Sequence, residues 1–202
     1  MKKNLWLFDF DGTITTADTL LCFIRHACGR LRFAAGFALF SPLLVLMKLH
    51  LYPNYKAKER LFAWFFGGMG EAQFNAACAR FATDNRHLLR PKATRLIADI
   101  LQKGEPVCIV SASIDNWVRP FFNDIAPQAE LRPIIIGTQV EVRQGVITGR
   151  FTTHNCYGKE KVRRVQELFT NRNEYFITAF GDSRGDKEML DYADKRFFKP
   201  FR

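Results

Sequence analysis

Two aspartates one residue apart, Asp9 and Asp11, follow the apolar run Leu5–Phe8 and precede Gly12 in the stretch LWLFDFDGT. Carboxylates held that close repel unless a cation sits between them. Polar groups of complementary kinds recur downstream. CIVSAS brings Ser111 to the end of an apolar run, GKEKVRRV offers Lys159 and Lys161, and YFITAFGDSRGDKEML carries Asp182 and Asp186. Carboxylate oxygens are hard ligands that suit Mg²⁺, which is commonly shared with a substrate phosphate. The cation would offset the paired acids and one aspartate would attack phosphorus, forming an aspartyl-phosphate. A serine hydroxyl and a lysine ammonium would hold the phosphoryl oxygens as charge builds.

Each motif alone has a plainer reading. Asp11-Gly12 suits a turn, and Ser113 is placed to cap a following helix. The lysines suit a solvated helix face, and Asp182 and Asp186 suit a carboxylate-rich helix start. The combination carries the chemistry, because three apolar segments each end in a group that a phosphate-plus-cation site needs.

The elements that must position these groups follow from periodicity. Residues 4–10 read as a strand buried on both faces, with PVCIV and YFITAF as two more and RFFKPF as a last one. EAQFNAACARFA puts Phe74, Cys78 and Phe81 on one helix face, and KATRLIADILQKG does the same for Leu96, Ile97, Ile100 and Leu101 before Gly104. PIIIGTQVEV and GVITGRF read as a β-hairpin around Gln144-Gly145. Residues 158–169 read as an amphipathic helix with Val162, Val165, Leu168 and Phe169 on one side. This order predicts an α/β fold, a doubly wound parallel sheet. Ranges 1–16 and 104–202 form its core, and 17–103 is a helical insertion too long for a simple crossover. Ligands bind such sheets at the carboxyl ends of the strands.

A net charge of +10, from 30 Lys and Arg against 20 Asp and Glu, favours anionic partners. No nucleic-acid recognition motif accompanies that charge, so nucleic acid is not expected. Five cysteines without a C-x-x-C pair read as free thiols in a reducing compartment. The apolar run after Met1-Lys2-Lys3 is too short for a signal peptide, so a cytoplasmic protein is expected.

In order, DFDGT, VSAS, a downstream lysine and GDSRGD resemble the four motifs of the haloacid dehalogenase superfamily along the whole chain. The long insertion resembles the type 1 helical cap of its phosphoserine phosphatase-like branch, subfamily IB. The resemblance implies a Rossmann-like core and a Mg²⁺-dependent phosphomonoester hydrolase with an aspartyl-phosphate intermediate. It makes Asp9 nucleophile and metal ligand, and Asp11 general acid and base. Asp9, Asp11 and Asp182 then face the metal, with the Phe10 carbonyl beside them and Asp186 supporting from behind. Ser111 and a lysine bind phosphate. Relatives place an apolar residue four positions after that lysine, which favours Lys161 (Val165 follows) over Lys159 (Arg163 follows). Gly12 stands where phosphoserine phosphatases usually carry a serine, and Asp18 is the nearest acid to their substrate-gripping glutamate, which argues against serine phosphate as the substrate. A catalytically idle binding protein of the same fold would show a missing motif residue, and none is missing.

The insertion contains RFAAGFALFSPLLVLMKLHLY, apolar from Phe33 to Met47. One reading is a buried helix pair broken at Ser41-Pro42. The other is a segment lying on an anionic membrane surface, flanked by Arg25, Arg30, Arg32, Lys48, Lys56, Lys58 and Arg60. The second resembles the branch containing bacterial phosphatidylglycerophosphatase C, and would make the protein a lipid-phosphate phosphatase at the inner face of the membrane.

Overall fold

The computed structural model describes residues 2–49 and 51–202. Met1 and His50, which the sequence places in the core and the insertion, lie outside the described residues.

The strands are β1 (Lys3–Phe8), β2 (Val107–Ile114), β3 (Ile134–Thr138), β4 (Val140–Arg143), β5 (Val146–Phe151), β6 (Tyr175–Gly181) and β7 (Lys195–Phe198). Five form one parallel sheet in the order β3-β2-β1-β6-β7, the expected doubly wound arrangement. With β1 central, its carboxyl end is flanked by those of β2 and β6, the strands that carry the other motifs. Alternation along β1 serves both faces. Leu5 and Leu7 pack with Val110, Val165 and Met189 on one side, while Phe8 joins an aromatic cluster on the other.

Three strand expectations change. The second strand runs on to Ile114, so Ser111 lies within β2 rather than at its end. The first strand ends at Phe8 rather than residue 10, because Phe10 turns under into a pocket with Phe121 and Phe122, at ring distances of 5.5 and 5.9 Å. PIIIG is also not part of the hairpin. Ile134–Thr138 pairs in parallel with β2, and the hairpin is β4–β5 alone, turning at Gln144-Gly145. Apolar runs look alike in sequence whichever neighbour they pair with, so only the tertiary pairing separates these two.

The insertion supplies α1 (Thr19–Lys48), α2 (Asn54–Phe66) and α3 (Glu71–Asp84), and α4 (Pro91–Gln102) leads back to β2. Gly104 follows α4 with φ +72°, the left-handed conformation of a helix stop. Phe23, Phe62, Phe66, Phe74 and Phe81 interlock at ring distances of 5.1–5.8 Å. The hairpin leans on this unit, with Ile147 accepting from Gly68 and donating to Met69 at 2.9 and 2.8 Å. Beyond β2, α5 (Asp115–Val118) is a single turn, and α6 (Lys159–Leu168) and α7 (Lys187–Tyr192) cover the sheet.

The expected break at Ser41-Pro42 is absent. α1 kinks instead at Gly29, whose φ of +78° and ψ of 165° interrupt the helix, and continues through Pro42. Proline removes the N–H that would reach the Ala38 carbonyl, but the Ser41 hydroxyl donates to that carbonyl at 2.8 Å. The Pro42-containing part is not buried either: Gly36 is its one buried residue, pressed under Phe65 and Trp64, where a Cβ would meet the Phe65 ring at 2.4 Å. Phe33, Phe37 and Phe40 pack inward, while Leu31, Leu39, Val45 and Leu46 face outward, Leu31 being 89% exposed. By length and composition α1 is long and apolar enough to cross a membrane.

Candidate functional site

Asp9 leaves the sheet edge directly after β1, its backbone N–H still donating to the Phe180 carbonyl at 2.9 Å. The chain then folds tightly over Phe10–Ile14, with Gly12 at φ +78°. A side chain at residue 12 would place Cβ 2.5 Å from Asp182 Oδ2, so this turn needs glycine for space as well as for conformation. The Phe10 carbonyl, expected to face a metal, accepts from the Thr15 N–H inside the turn at 3.0 Å, while the Thr15 hydroxyl donates to the nearer Ala17 carbonyl at 2.8 Å.

Lys161 enters from the first turn of α6 and is buried. Its Nζ donates to Asp9 Oδ1 (2.5 Å), Asp186 Oδ1 (2.6 Å) and the Val110 carbonyl (2.7 Å). Burial works against this ammonium, but Asp9 and Asp186 outweigh it and hold the group charged above the ordinary lysine range. Lys159, the other lysine offered by the sequence, is exposed. For Asp9 burial dominates over Lys161 and raises the carboxyl pKa from 3.8 to about 7.

Asp186 is opposed by burial, yet Lys161 and the Ser183 N–H and hydroxyl hold its carboxyl below the usual range. Its Oδ2 accepts from the Asp182 and Ser183 amides and from Ser183 Oγ, at 3.1, 2.9 and 2.9 Å. It thus braces the loop that presents Asp182. Asp182 keeps freer oxygens: Thr13 approaches Oδ1 at 3.5 Å and Arg202 donates to Oδ2 at 2.5 Å. Carboxylate oxygens of Asp9, Asp182 and Asp186 lie within 4.8 Å of one another. Hard oxygens at that separation, two of them presented at strand ends, fit a divalent cation of the Mg²⁺ type.

Asp11 is turned away from that trio. Its Oδ1 accepts from the Thr19 N–H (2.7 Å) and hydroxyl (2.6 Å), and its Oδ2 accepts from Ser113 Oγ (2.5 Å) and Ser111 Oγ (3.5 Å). Trp117 Nε1 in turn fixes the Thr19 hydroxyl at 3.2 Å. Ser113 is therefore no helix cap: the cap position of α5 is Ile114, and the serine hydroxyl is spent on Asp11. Ser111 is buried and accepts from the Ser113 amide at 3.0 Å.

Sequence reasoning missed Lys58, which it counted among the flanking cations of the apolar run. Lys58 lies on the cleft side of α2 and donates to the Ala112 carbonyl and, at 3.2 Å, to Asn155 Oδ1. Burial lowers its pKa from 10.5 to about 8, against the pull of Asp11 and Asp18. Arg32 likewise caps the Trp64 and Phe65 carbonyls at 3.3 and 3.1 Å. Arg202 was missed too, since nothing local marks it as reaching a strand end 20 residues earlier.

Asp9, Asp11, Lys58, Ser111, Ser113, Lys161, Asp182, Asp186 and Arg202 line one cleft of about 620 Å³. Asp9, Asp11, Ser111, Lys161 and Asp182 form its floor. Leu20, Leu21, Phe37, Leu44, Met47 and Leu61 of α1 and α2 form an apolar wall.

A family profile described as haloacid dehalogenase-like hydrolase matches residues 6–191. The chain is 32% identical to the protein CicA of Caulobacter vibrioides over 199 residues, covering 96% of this chain and 85% of that one. Its fold is similar to a crystal structure of a protein of unknown function from Bordetella pertussis Tohama I, with TM-score 0.81, 20% identity and coverage of 97% and 89%. It is also similar to phosphoserine phosphatase solved as a phospho-aspartyl intermediate analogue, with TM-score 0.59, 18% identity and coverage of 97% and 86%. The profile spans every motif from β1 to α7, and the chain belongs to the haloacid dehalogenase-like hydrolase family.

Proposed function

We propose that the chain is a phosphomonoester hydrolase that works with Mg²⁺ through an aspartyl-phosphate. The observation that carries this reading is the division of labour between two aspartates one residue apart. Asp9 sits with Asp182 on the Lys161 side, while Asp11 is held by Thr19 and Ser113 on the insertion side. A divalent ion between Asp9 and Asp182 would offset their charge and that of a substrate phosphate. Asp9 then attacks phosphorus as the bond to the leaving oxygen breaks, and Asp11 supplies the proton that the departing alcohol takes. In the second half Asp11 accepts a proton from water, whose oxygen attacks phosphorus and frees Asp9. Ser113 Oγ can rotate to accept when Asp11 carries the proton. Ser111 and Lys161 hold the phosphoryl oxygens.

The test is turnover of a broad phosphate-ester panel with and without Mg²⁺, comparing wild type with Asp9→Asn. Mg²⁺-dependent release of phosphate that Asp9→Asn abolishes is expected. A wild-type protein inert on the whole panel, or an active Asp9→Asn, overturns the reading.

One observation favours a lipid-phosphate substrate within this class. The helix whose Phe37, Leu44 and Met47 wall the cleft also exposes Leu39, Val45 and Leu46 to solvent, in a chain of net charge +10. Such a helix, lying on an anionic bilayer at the inner face of the membrane of a cytoplasmic protein, would bring the cleft to lipid headgroups. Vesicle flotation at physiological salt should carry the protein up with anionic vesicles; recovery wholly in the soluble fraction rejects this.

A further inference from the structure

Arg202 reaches the cleft from the segment after the edge strand β7, tethered twice. The Phe201 ring stacks on Phe180 at 5.7 Å and 15°, and the Lys199 N–H donates to the Gly181 carbonyl at 2.8 Å. Both anchors belong to the last two residues of β6, immediately before Asp182. The guanidinium lands on Asp182 Oδ2 at 2.5 Å, among the residues that line the cleft with Asp9, Ser111 and Lys161. Lys161 occupies Asp9 and Asp186 at the same time. Two side-chain cations therefore partner all three acids that would face a divalent ion.

A guanidinium and a divalent cation compete for one carboxylate, and at that range they repel each other. The guanidinium is also the side-chain group best matched to phosphate, through paired N–H donors. Its side chain is 46% exposed, so the ion pair with Asp182 is weakly held and easily exchanged. We propose that Arg202 is a phosphate-binding residue that changes partner, holding Asp182 in the metal-free protein and turning to the phosphoryl oxygens once a cation takes that carboxylate. This rests on the metal-dependent phosphatase reading above. It assigns Arg202 two opposed effects, weakening metal binding and strengthening phosphate binding.

The experiment measures Mn²⁺ binding by electron paramagnetic resonance, then inorganic phosphate binding by calorimetry at saturating Mn²⁺. Wild type, Arg202→Gln and Arg202→Lys are compared, and a thermal melt verifies that each is folded. Arg202→Gln should bind Mn²⁺ roughly threefold or more tighter, because a nearby positive charge is gone. It should bind phosphate about tenfold more weakly, through loss of a charge-assisted pair. Arg202→Lys should keep the wild-type Mn²⁺ affinity and regain part of the phosphate affinity. An Arg202→Gln protein whose Mn²⁺ affinity or phosphate affinity equals that of wild type overturns the inference. A protein that binds no Mn²⁺ in any form overturns the metal-dependent reading itself.

Discussion

The Lys161 ammonium lies 2.5 Å from Asp9 Oδ1, with both side chains buried. Removing the cation alone would leave Asp9 and Asp186 buried without their shared partner. Lys161→Ala should therefore destabilise the metal-free protein by about 3–5 kcal/mol in denaturant titration. Metal-dependent turnover should fall at least about a hundredfold, since a charge facing the transition state is lost. Wild-type turnover in a folded Lys161→Ala protein would remove the lysine from the reaction.

Asp9 ties stability to pH in an unusual direction. Burial lifts its folded pKa to about 7 from 3.8, so between those values the folded chain holds a proton that the unfolded chain has released. The contribution of this group to stability is full below pH 3.8 and is lost as pH rises toward 7. In chelator, wild type should lose stability relative to Asp9→Asn between pH 4 and 7, and added Mg²⁺ should reverse that loss. Parallel pH profiles for the two proteins, measured by urea unfolding, would contradict this.

Asp11 bonds to Thr19 and Ser113 and stands apart from the Asp9–Asp182–Asp186 trio. Asp11→Asn should lower kcat by about 10²–10⁴, the usual worth of a positioned acid and base, while leaving Mn²⁺ affinity near wild type. A large loss of metal affinity would place Asp11 on the metal instead.

Lys58 keeps its charge at a cost, as its pKa lowered to about 8 by burial records. Below pH 8 that depressed pKa disfavours the folded state, so Lys58→Met should be no less stable than wild type at pH 7. Loss of the tie between α2 and the Ala112 carbonyl, beside Ser111, should still lower kcat/KM by about tenfold, the worth of one charge-assisted hydrogen bond. Paired melting and kinetic measurements decide: a destabilised protein with full activity would make the tie purely structural.

The parts of the site legible in sequence are those that local rules expose. An apolar run ending in Asp9 and Asp11, another reaching Ser111 and a third ending at Asp182 announce strand ends, and a parallel sheet collects strand ends on one edge. The resemblance favours Lys161 over Lys159, through Val165 four positions on, and the structure buries Lys161 and exposes Lys159. What needed the tertiary structure was partner choice. Ser113 looked like a cap because nothing local shows that Asp11 passes above it. Lys58 looked like a surface cation because its burial depends on how α2 lies over the cleft. Pro42 looked like a break because the Ser41–Ala38 bond that offsets it is a matter of one rotamer.

By itself, then, the sequence determined the α/β class, the three apolar strands and the chemical types that follow their apolar runs, since these depend on periodicity and residue identity along the chain. Tertiary structure alone decided which oxygen each cation holds, that β3 joins the sheet rather than the hairpin, and that Arg202 meets Asp182. Those outcomes depend on distances between segments remote in sequence, which the Phe180 stack and the insertion's aromatic core hold in place.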